Sequence, residues 1–289
     1  AGLGLSCCIF PACALPMSSD LPPLSERIFL VTGATDGIGR LTAMLLAKQK
    51  CTVLVHGRTP SKVERLVSEL QRHSPNSYGF LADLSDLEQV RRLGREISEK
   101  FPVIHGLLNN AGTFSGDYKR GRQVTAEGYE YGFAVNVLAP FLLTSLLLEN
   151  VRASGAGRIL ITSSLSAGSN DALSDLQCER KYSDHRAYEL SKLCDAMIAM
   201  ELHARYGDPP RLCFHTMDPG TVDTKMLRAG WGRGAPVETA TTSYEMLTED
   251  RYQQTSGIGK EYCCGEGKES RRRLWQELEA MTAACYPEE

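Results

Sequence analysis

Tyr188 and Lys192 are the two residues in this sequence whose types and spacing most directly suggest chemistry. Residues four apart in a helix lie one turn apart on the same face, so a phenol would lie within reach of an ammonium. A phenol has an ordinary pKa of about 10, and a nearby positive charge lowers that pKa by favouring the phenolate. The spacing therefore predicts a proton donor and acceptor usable near neutral pH, as the interconversion of a carbonyl and an alcohol requires.

Two other tyrosines, Tyr118 and Tyr182, are followed four residues later by arginine rather than lysine. A guanidinium carries the same charge, but it is bulkier, planar and differently hydrated, so it is not equivalent to an ammonium in this role. Tyr188 is the one tyrosine with a lysine at this spacing. The alternative interpretation of the pair is an ordinary solvated helix face, and the surrounding sequence has to decide between the two.

The composition describes an ordinary globular chain of 289 residues, with 42% hydrophobic residues, 23% charged residues and a net charge of −3. This charge gives no reason to expect nucleic acid as a partner. The ten cysteines are scattered, with no Cys-x-x-Cys pair and no zinc-ligand spacing, so we expect reduced thiols and no metal site. Reduced thiols favour an intracellular location, cytoplasmic or organellar.

Residues 1–25 are interpreted as a poorly ordered N-terminal extension, outside the fold. Residues 1–16 are apolar and rich in cysteine but lack the positive charges of a signal or transit peptide. Three explanations stay open: upstream translation before Met17, a trimmed leader, or a weak membrane-touching segment that could be acylated at Cys7 and Cys8. No apolar run of about 18 residues occurs, so no membrane-spanning helix is predicted.

A glycine-rich turn follows the first predicted strand, Ile28–Val31, and precedes a predicted helix over 40–49. Backbone N–H groups and the helix dipole at such a turn favour a pyrophosphate, and glycines avoid a Cβ that would block it. The alternative is a tight turn without a ligand. The candidate cofactor-binding residues of this turn are Gly33, Thr35, Asp36, Gly37, Ile38 and Gly39.

The second predicted strand, 51–55, leads to Arg58 rather than to the acidic residue that binds the ribose hydroxyls of NAD in dinucleotide folds. The guanidinium of Arg58 suits a 2′-phosphate. We therefore expect NADP(H) rather than NAD(H), although Asp36 in the glycine turn is mildly unfavourable for a second phosphate. An exposed arginine without a ligand is the alternative.

The remaining strands are predicted over 78–82, 103–108, 158–164 and 212–217, with a last short strand within 256–262. They alternate with helices over 60–72, 86–100, 126–150, 185–205 and 268–284. Regular strand-helix alternation predicts an α/β fold, a single doubly wound parallel sheet of the Rossmann type with helices on both faces. One domain over 26–285 is expected, and the Gly/Pro-interrupted segment 224–250 is interpreted as a substrate lid.

Polar or small residues follow several of these strands, at the sheet edge where such folds bind ligands. Asp83 precedes Leu84 after the third strand and either accepts a hydrogen bond from an adenine amino group or caps the next helix. Asn110, Ala111 and Gly112 follow the fourth strand, where small residues allow a ligand to approach the backbone. Asn136 lies in an apolar helix, and a buried amide there must be satisfied.

With these residues in view, residues 26–285 resemble the short-chain dehydrogenase/reductase family, and within it the retinol-dehydrogenase-like branch. The branch is indicated by the long gap between Ser164 and Tyr188, which contains Asp175-Leu176-Gln177, and by the ending Arg273–Leu278. The family motifs occur in order: Thr32-Gly33-x-x-x-Gly37-Ile38-Gly39, Asn109-Asn110-Ala111-Gly112, Asn136, Ser164, Tyr188-x-x-x-Lys192 and Pro219-Gly220-x-Val222-x-Thr224.

The resemblance implies specific roles for these residues. Tyr188 would be the general acid and base, and Lys192 would support it and bind the nicotinamide ribose. Asn136 would hold a water that links Lys192 to solvent. Ser164 would hydrogen-bond the substrate oxygen, with Ser163 and Ser166 as the alternative registers. Asn110, Ala111 and Gly112 would line the cofactor, and the nicotinamide carboxamide would be contacted by Pro219, Gly220, Val222 and Thr224.

The implied function is an NADP(H)-dependent oxidoreductase that transfers a hydride between nicotinamide and a carbonyl or alcohol. A lipophilic substrate is suggested by apolar residues of the lid such as Trp231, although such a stripe also occurs as plain packing. The alternative is a non-catalytic NADP(H)-binding scaffold or redox sensor with the same fold. The resemblance also allows a homodimer, and Arg271-Arg272-Arg273 leaves peripheral membrane contact open beside a solvated helix start.

Overall fold

The computed structural model of the chain describes residues 21–114, 121–168, 170–257 and 267–288. Most of the N-terminal extension, the Tyr118 spacing and most of the last predicted strand lie outside the described residues.

One parallel sheet of six strands forms the centre of the described fold. The strands are β1 (Ile28–Val31), β2 (Thr52–Gly57), β3 (Ser77–Leu81), β4 (Gly106–Asn109), β5 (Gly157–Thr162) and β6 (Leu212–Met217), in the order β3-β2-β1-β4-β5-β6. Every neighbouring pair is parallel. The predicted doubly wound sheet is confirmed. The strand predicted over 103–108 started three residues before the observed start of β4, and the strand predicted over 158–164 ended two residues after the observed end of β5.

Helices cover both faces of this sheet. They are α1 (Gly37–Lys48), α2 (Pro60–Leu70), α3 (Leu87–Lys100), α4 (Tyr131–Phe133), α5 (Ala139–Arg152), α6 (Asp184–Tyr206), α7 (Lys225–Gly230), α8 (Thr242–Thr248) and α9 (Lys268–Thr282). Successive residues of β1 face opposite sides, and accordingly Leu30 belongs to one buried cluster while Phe29 and Val31 belong to the other. Strands buried on both faces read as continuous apolar runs, which is why they were visible in the sequence.

The helix predicted over 126–150 begins instead at Tyr131 and extends to Arg152. It starts there because the Glu130 carboxylate accepts hydrogen bonds from the N–H groups of Gly132 and Phe133. Between α4 and α5 the chain forms a π turn, Ala134–Leu138. This helix is the one among the described residues that is long and apolar enough to cross a membrane, yet 72% of its apolar window is buried within the protein.

The predicted lid, 224–250, divides into two parts in the structure. In α7 no residue is fully buried, whereas α8 packs Ser243, Met246 and Leu247 into the core. Met246 and Leu247 belong to the cluster beneath α1. The exposed, lid-like part therefore ends before α8.

Candidate active site

Tyr188 and Lys192 lie one turn apart on α6, and the Lys192 ammonium is 5.6 Å from the centroid of the Tyr188 ring. The ammonium donates a hydrogen bond of 2.9 Å to the Thr162 carbonyl, the last residue of β5. This bond places the pair at the carboxyl end of the sheet, where open α/β folds bind ligands. Because the Lys192 side chain is only 6% exposed, the pair is not a solvated helix face.

Tyr182, the second tyrosine with a cation four residues later, has a different partner. Its hydroxyl donates to the Asp184 carboxylate, at 2.5 Å. Burial and this carboxylate raise the pKa of the Tyr182 phenol, the direction opposite to that required of a proton donor near neutral pH. The neighbouring charges therefore distinguish it from Tyr188.

Lys192 also contacts an acidic residue that the sequence reasoning did not single out. Its ammonium donates a hydrogen bond of 2.8 Å to Asp195, one turn further along α6, and the Asp195 side chain is 1% exposed. Burial disfavours the ammonium, but the negative charges around it, Asp195 first, raise the pKa of Lys192 above its ordinary value. Burial raises the pKa of Asp195 to about 6, partly opposed by Lys192.

Asn136 lies in the π turn with its side-chain amide satisfied, as a buried amide requires. Its Oδ1 accepts from the Thr113 N–H at 2.8 Å, and its Nδ2 donates to the Thr113 carbonyl and to Ser191 Oγ. Ser191 in turn donates to the Tyr188 carbonyl. The side chain of Asn136 thus joins the segment after β4 to the turn of α6 that carries Tyr188.

The main-chain carbonyl of Asn136 is left without its usual α-helical partner by Pro140. An α-helix would pair that carbonyl with the N–H of residue 140, which a proline lacks. Ala139 instead donates to Ala134 across the wider π turn. The α-helical hydrogen bond to the Asn136 carbonyl therefore cannot form.

The serines after β5 take different positions. Ser163 is 1% exposed and its hydroxyl donates a 2.7 Å hydrogen bond to the Lys192 carbonyl, which fixes it to α6. Ser164 is only partly buried, and its hydroxyl oxygen accepts from the Ser166 N–H. The hydroxyl of Ser163 is thus engaged with α6 and the Ser163 alternative is disfavoured, while Ser164 and Ser166 both stay candidates for the substrate contact.

The glycine turn packs directly against the segment after β4. Gly33 has φ +63° and Gly37 has φ +53°, and a Cβ on Gly33 would lie 2.8 Å from Ala111 Cα. A Cβ on Gly39 would lie 2.6 Å from the side-chain nitrogen Nδ2 of Asn110. Between them, the Thr32 hydroxyl accepts from the N–H groups of Asn110 and Ala111. The turn thus ends at the first N–H groups of α1, of which that of Gly37 is taken by the Asp36 carboxylate.

The carboxylate of Asp36 caps α1 by accepting from the Gly37 N–H, and it also pairs with Lys225 of α7. Hydrogen bonding to Lys225 is the main reason that the pKa of Asp36 is lowered. Thr35 lies beside the end of β2, where a Cβ on Gly57 would be 2.5 Å from its methyl group. The turn therefore lies close to both β2 and the lid.

Arg58, after β2, donates a hydrogen bond of 2.9 Å to the Tyr131 hydroxyl of α4. After β3, the carboxylate of Asp83 accepts from the N–H and hydroxyl of Ser85, while Leu84 is buried. The cap of α3 is Asp86, so the capping alternative for Asp83 was wrong. Asp86 was missed because an aspartate that closes a turn looks the same in sequence as one that caps a helix.

The segment after β6 brings its residues to the same edge of the sheet. Gly220 has φ +85°, Val222 is buried, and the Thr224 hydroxyl caps α7 by accepting from Leu227. A Cβ on Gly37 would lie 3.3 Å from the Thr224 methyl group. Pro219 lies between Gly220 and Asp218, whose carboxylate accepts from the N–H groups of Leu165 and Gly220. Asp218, which the sequence reasoning missed, therefore links this segment to Ser164.

Aromatic rings surround Tyr188. The rings of Phe114 and Trp231 have centroids 5.6 and 5.2 Å from that of Tyr188, and 4.5 Å from each other. His185, one turn before Tyr188 on α6, contacts both rings. Rings thus flank Tyr188, while the pocket beside it also includes the polar residues Glu130, Tyr182 and Asp184.

A cavity of about 460 Å³ lies between α1 and α7. It is bordered by Asp36, Gly37 and Thr224, but Tyr188 does not line it. A pocket of about 30 Å³ does include Tyr188, together with Asn136 and Phe114. Of these two cavities, the smaller one is therefore the one that Tyr188 borders.

A model of the short-chain dehydrogenase family matches residues 27–231. The chain belongs to the short-chain dehydrogenase/reductase family. A polyprenol dehydrogenase of Mus musculus is 34% identical over 299 residues, which cover 91% of this chain and 86% of that protein. Human retinol dehydrogenase 12 is 33% identical over 208 residues, covering 71% of this chain and 64% of that protein. These relatives confirm the retinol-dehydrogenase-like branch.

Among solved structures, a short-chain dehydrogenase from Escherichia coli CFT073 complexed with NADPH is similar, with a TM-score of 0.65 and 27% identity. The likeness covers 82% of this chain and 98% of that one. In the present short-chain dehydrogenase/reductase, the glycine turn packs closely against Ala111 and Thr224 at the N-terminus of α1, the position where such folds bind a pyrophosphate. Its residues fit a nicotinamide dinucleotide cofactor.

The branch-specific triplet Asp175-Leu176-Gln177 has a structural explanation in this short-chain dehydrogenase/reductase. The carboxylate of Asp175 accepts from two N–H groups of the following turn, and Leu176 is buried in the core. Gln177 Oε1 accepts from the Glu130 N–H at 2.7 Å. The inserted loop therefore supports the residue that begins the helix of Asn136.

Proposed function

We propose that this protein is an NADP(H)-dependent oxidoreductase that interconverts a carbonyl and an alcohol on a lipophilic substrate. The observation that carries the proposal is the buried Lys192 ammonium, held on the Thr162 carbonyl and facing the Tyr188 ring at 5.6 Å. A fixed cation beside a phenol supports the developing negative charge when the phenol gives up its proton.

The bound nicotinamide supplies the hydride, and the residues of the chain manage the proton and the substrate. In reduction, the Tyr188 hydroxyl gives its proton to the carbonyl oxygen, which Ser164 holds by a hydrogen bond. Lys192 stabilises the resulting phenolate and binds the nicotinamide ribose. The Asn136 carbonyl, which lacks an α-helical partner at Pro140, would hold the water through which Lys192 and Tyr188 regain the proton.

The preference for NADP(H) rests on Arg58, which follows β2 where an NAD-dependent fold has an acidic residue. Thr35, beside Gly57, lies at the same end of β2 and would approach the adenosine ribose. A solved relative that binds NADPH supports this choice. Asp83 and Leu84 would lie along the adenine, at the end of β3.

A lipophilic substrate is favoured by the rings of Phe114 and Trp231 next to Tyr188. Such rings contribute a large apolar area, and the ring of Phe114 has no hydrogen-bonding group that would have to be satisfied. The names of two relatives, polyprenol dehydrogenase and retinol dehydrogenase 12, point to lipophilic alcohols as substrates of those proteins. We propose the same chemical class for this chain.

The test is a panel of long-chain and aromatic aldehydes, ketones and alcohols, assayed with NADPH or NADH by the absorbance of the reduced cofactor. Turnover that favours NADPH and increases with the apolar length of the carbonyl compound is expected. Tight NADPH binding without turnover of any compound would support a non-catalytic scaffold instead.

A further inference from the structure

The buried ion pair between Lys192 and Asp195 is a feature that the roles above do not use. Both residues lie on α6, three positions apart, with the ammonium and the carboxylate oxygen Oδ2 separated by 2.8 Å. The side chains are 6% and 1% exposed. Removing two charges from water is costly, so a buried ion pair is not by itself a source of stability. The position of this pair next to Tyr188 therefore suggests a role other than stabilising the fold.

The geometry gives Lys192 two fixed hydrogen-bond partners. One is the neutral carbonyl of Thr162, at 2.9 Å, and the other is the Asp195 carboxylate. The second carboxylate oxygen, Oδ1, is buried and has no hydrogen-bond partner among the residues that the structure describes. The ion pair with Lys192 is thus the main interaction that compensates the negative charge of Asp195.

The charged and titratable groups that act on Lys192 are few. Asp195 and Tyr188 lie on α6, and Asp218 lies after β6. The end of β5 contributes the Thr162 carbonyl, and the π turn contributes the neutral Asn136 side chain, close to Gly112. Of the two carboxylates, Asp195 is the one in direct contact with the ammonium.

We propose that Asp195 is a positioning residue of the reaction centre: its carboxylate is the counter-ion that keeps the buried Lys192 ammonium protonated and fixed beside Tyr188. The inference rests on the proposed function for its catalytic consequence. Without Asp195, Lys192 is a cation in a nearly dry site with one neutral hydrogen-bond partner, and burial favours loss of its proton.

The decisive variant is Asp195→Asn, which removes the charge and keeps the shape of the side chain. Removing a negative charge makes Lys192 release its proton at lower pH. We expect the alkaline limb of the kcat/KM profile for carbonyl reduction to move to lower pH by about one unit or more. Below about pH 6, where Asp195 takes up a proton, the variant and the wild-type profiles should converge.

A second measurement does not need turnover. Lys192 is proposed to bind the nicotinamide ribose, so NADPH affinity should also weaken at high pH, and in Asp195→Asn this weakening should begin at lower pH. If the wild type reduces no carbonyl compound but Asp195→Asn still shows this shift in NADPH binding, the proposed function is wrong and the inference about Asp195 stands. Asp195→Ala removes the same charge and replaces the first variant if that one does not fold.

The matched control is Asp208→Asn, which removes an aspartate that also pairs with a basic residue three positions away. Asp208 and its partner Arg211 are exposed, with side chains 53% and 43% accessible. Both pH profiles of this control should match those of the wild type. The inference is overturned if Asp195→Asn lowers activity equally at every pH, or if its limbs coincide with those of the wild type.

Discussion

At the scale of single residues, the site depends on a few charged side chains, each of which has only one or two close partners. Lys192 is held by Thr162 and Asp195, whereas Tyr182, the tyrosine with a similar spacing, faces a carboxylate. Arg58 is placed differently, at the rim, where its guanidinium contacts the Tyr131 hydroxyl. In the proposed function these side chains have separate roles, proton transfer for Tyr188 and Lys192 and recognition of the cofactor for Arg58.

The proposed duty of Arg58 predicts how Arg58→Ala will behave. NADPH affinity should fall about 10- to 100-fold, because charge-assisted hydrogen bonds to a phosphate contribute roughly 1.5–3 kcal/mol. NADH affinity should stay the same, and both can be measured by quenching of protein fluorescence. The control is Arg65→Ala, an arginine of α2 that is 82% exposed. Equal losses for the two cofactors would contradict a contact with the 2′-phosphate.

At the scale of elements, the π turn before α5 is the feature that converts a plain core helix into part of the site. Pro140 interrupts the hydrogen-bond ladder, and the interruption falls at the Asn136 carbonyl. Glu130 and Gln177 fix where this helix begins. The geometry at Asn136 is therefore set by a helix start and a proline rather than by contacts with a ligand.

Replacing Pro140 by alanine should test this. Pro140→Ala supplies the missing N–H, so the Asn136 carbonyl gains an α-helical partner and the π turn is expected to convert to α-helix. We expect kcat to fall about 10- to 100-fold, as small displacements of reacting groups commonly cost that much. Helix content by circular dichroism should be unchanged, because alanine favours a helix.

Pro60→Ala provides the matched control for this substitution. Pro60 is the first residue of α2, a position whose N–H has no intrahelical partner to begin with. Its kcat should equal that of the wild type. A Pro140→Ala protein with full kcat would show that the freed carbonyl has no part in the proton path.

The sequence was sufficient for the sheet because its strands are buried apolar runs, and several motifs, such as those at Gly33 and Asn110, follow such a strand directly. It was not sufficient for Asp195, because an acid three residues from a lysine is usually a surface pair, and only the burial of α6 makes it exceptional. The ring cluster was also out of reach, since Phe114, His185 and Trp231 come from separate segments. The π turn had a readable signal, a proline four residues after Asn136, that the helical periodicity concealed.

At the scale of the whole molecule, polar groups buried between the sheet and its helices make the fold sensitive to acid. His105 and His215 are 8% and 0% exposed. Burial lowers the pKa of each to about 4.

The end of α6 is tied to α9 by Glu201 and Arg271, so one member of the arginine triplet takes part in packing.

The low pKa values of His105 and His215 predict that the folded protein loses stability in mild acid. Each is neutral in the folded protein, and in the unfolded chain its pKa returns to about 6.5, so unfolding takes up protons below that value. The stabilising contribution is complete above about pH 6.5 and is lost as the pH falls towards 4, on the order of 3 kcal/mol for each histidine. Denaturant unfolding at a series of pH values measures this loss.

His105→Gln should flatten the pH dependence of the free energy of unfolding between pH 6.5 and 4, whatever its effect on stability at neutral pH. His73→Gln removes an exposed histidine and should leave the slope unchanged. Identical slopes in the wild type and in His105→Gln would contradict the assignment of a neutral buried imidazole.

The central claim is that the Tyr188 phenol, supported by Lys192, transfers the proton while a bound nicotinamide transfers the hydride. The most direct test is Tyr188→Phe, compared with Tyr182→Phe, in pre-steady-state oxidation of bound NADPH by an aldehyde that the wild type reduces. We predict that Tyr188→Phe binds NADPH normally but loses about 10²- to 10⁴-fold in rate, the usual contribution of a general acid, while Tyr182→Phe keeps most of its rate. Wild-type rates in Tyr188→Phe would contradict the account.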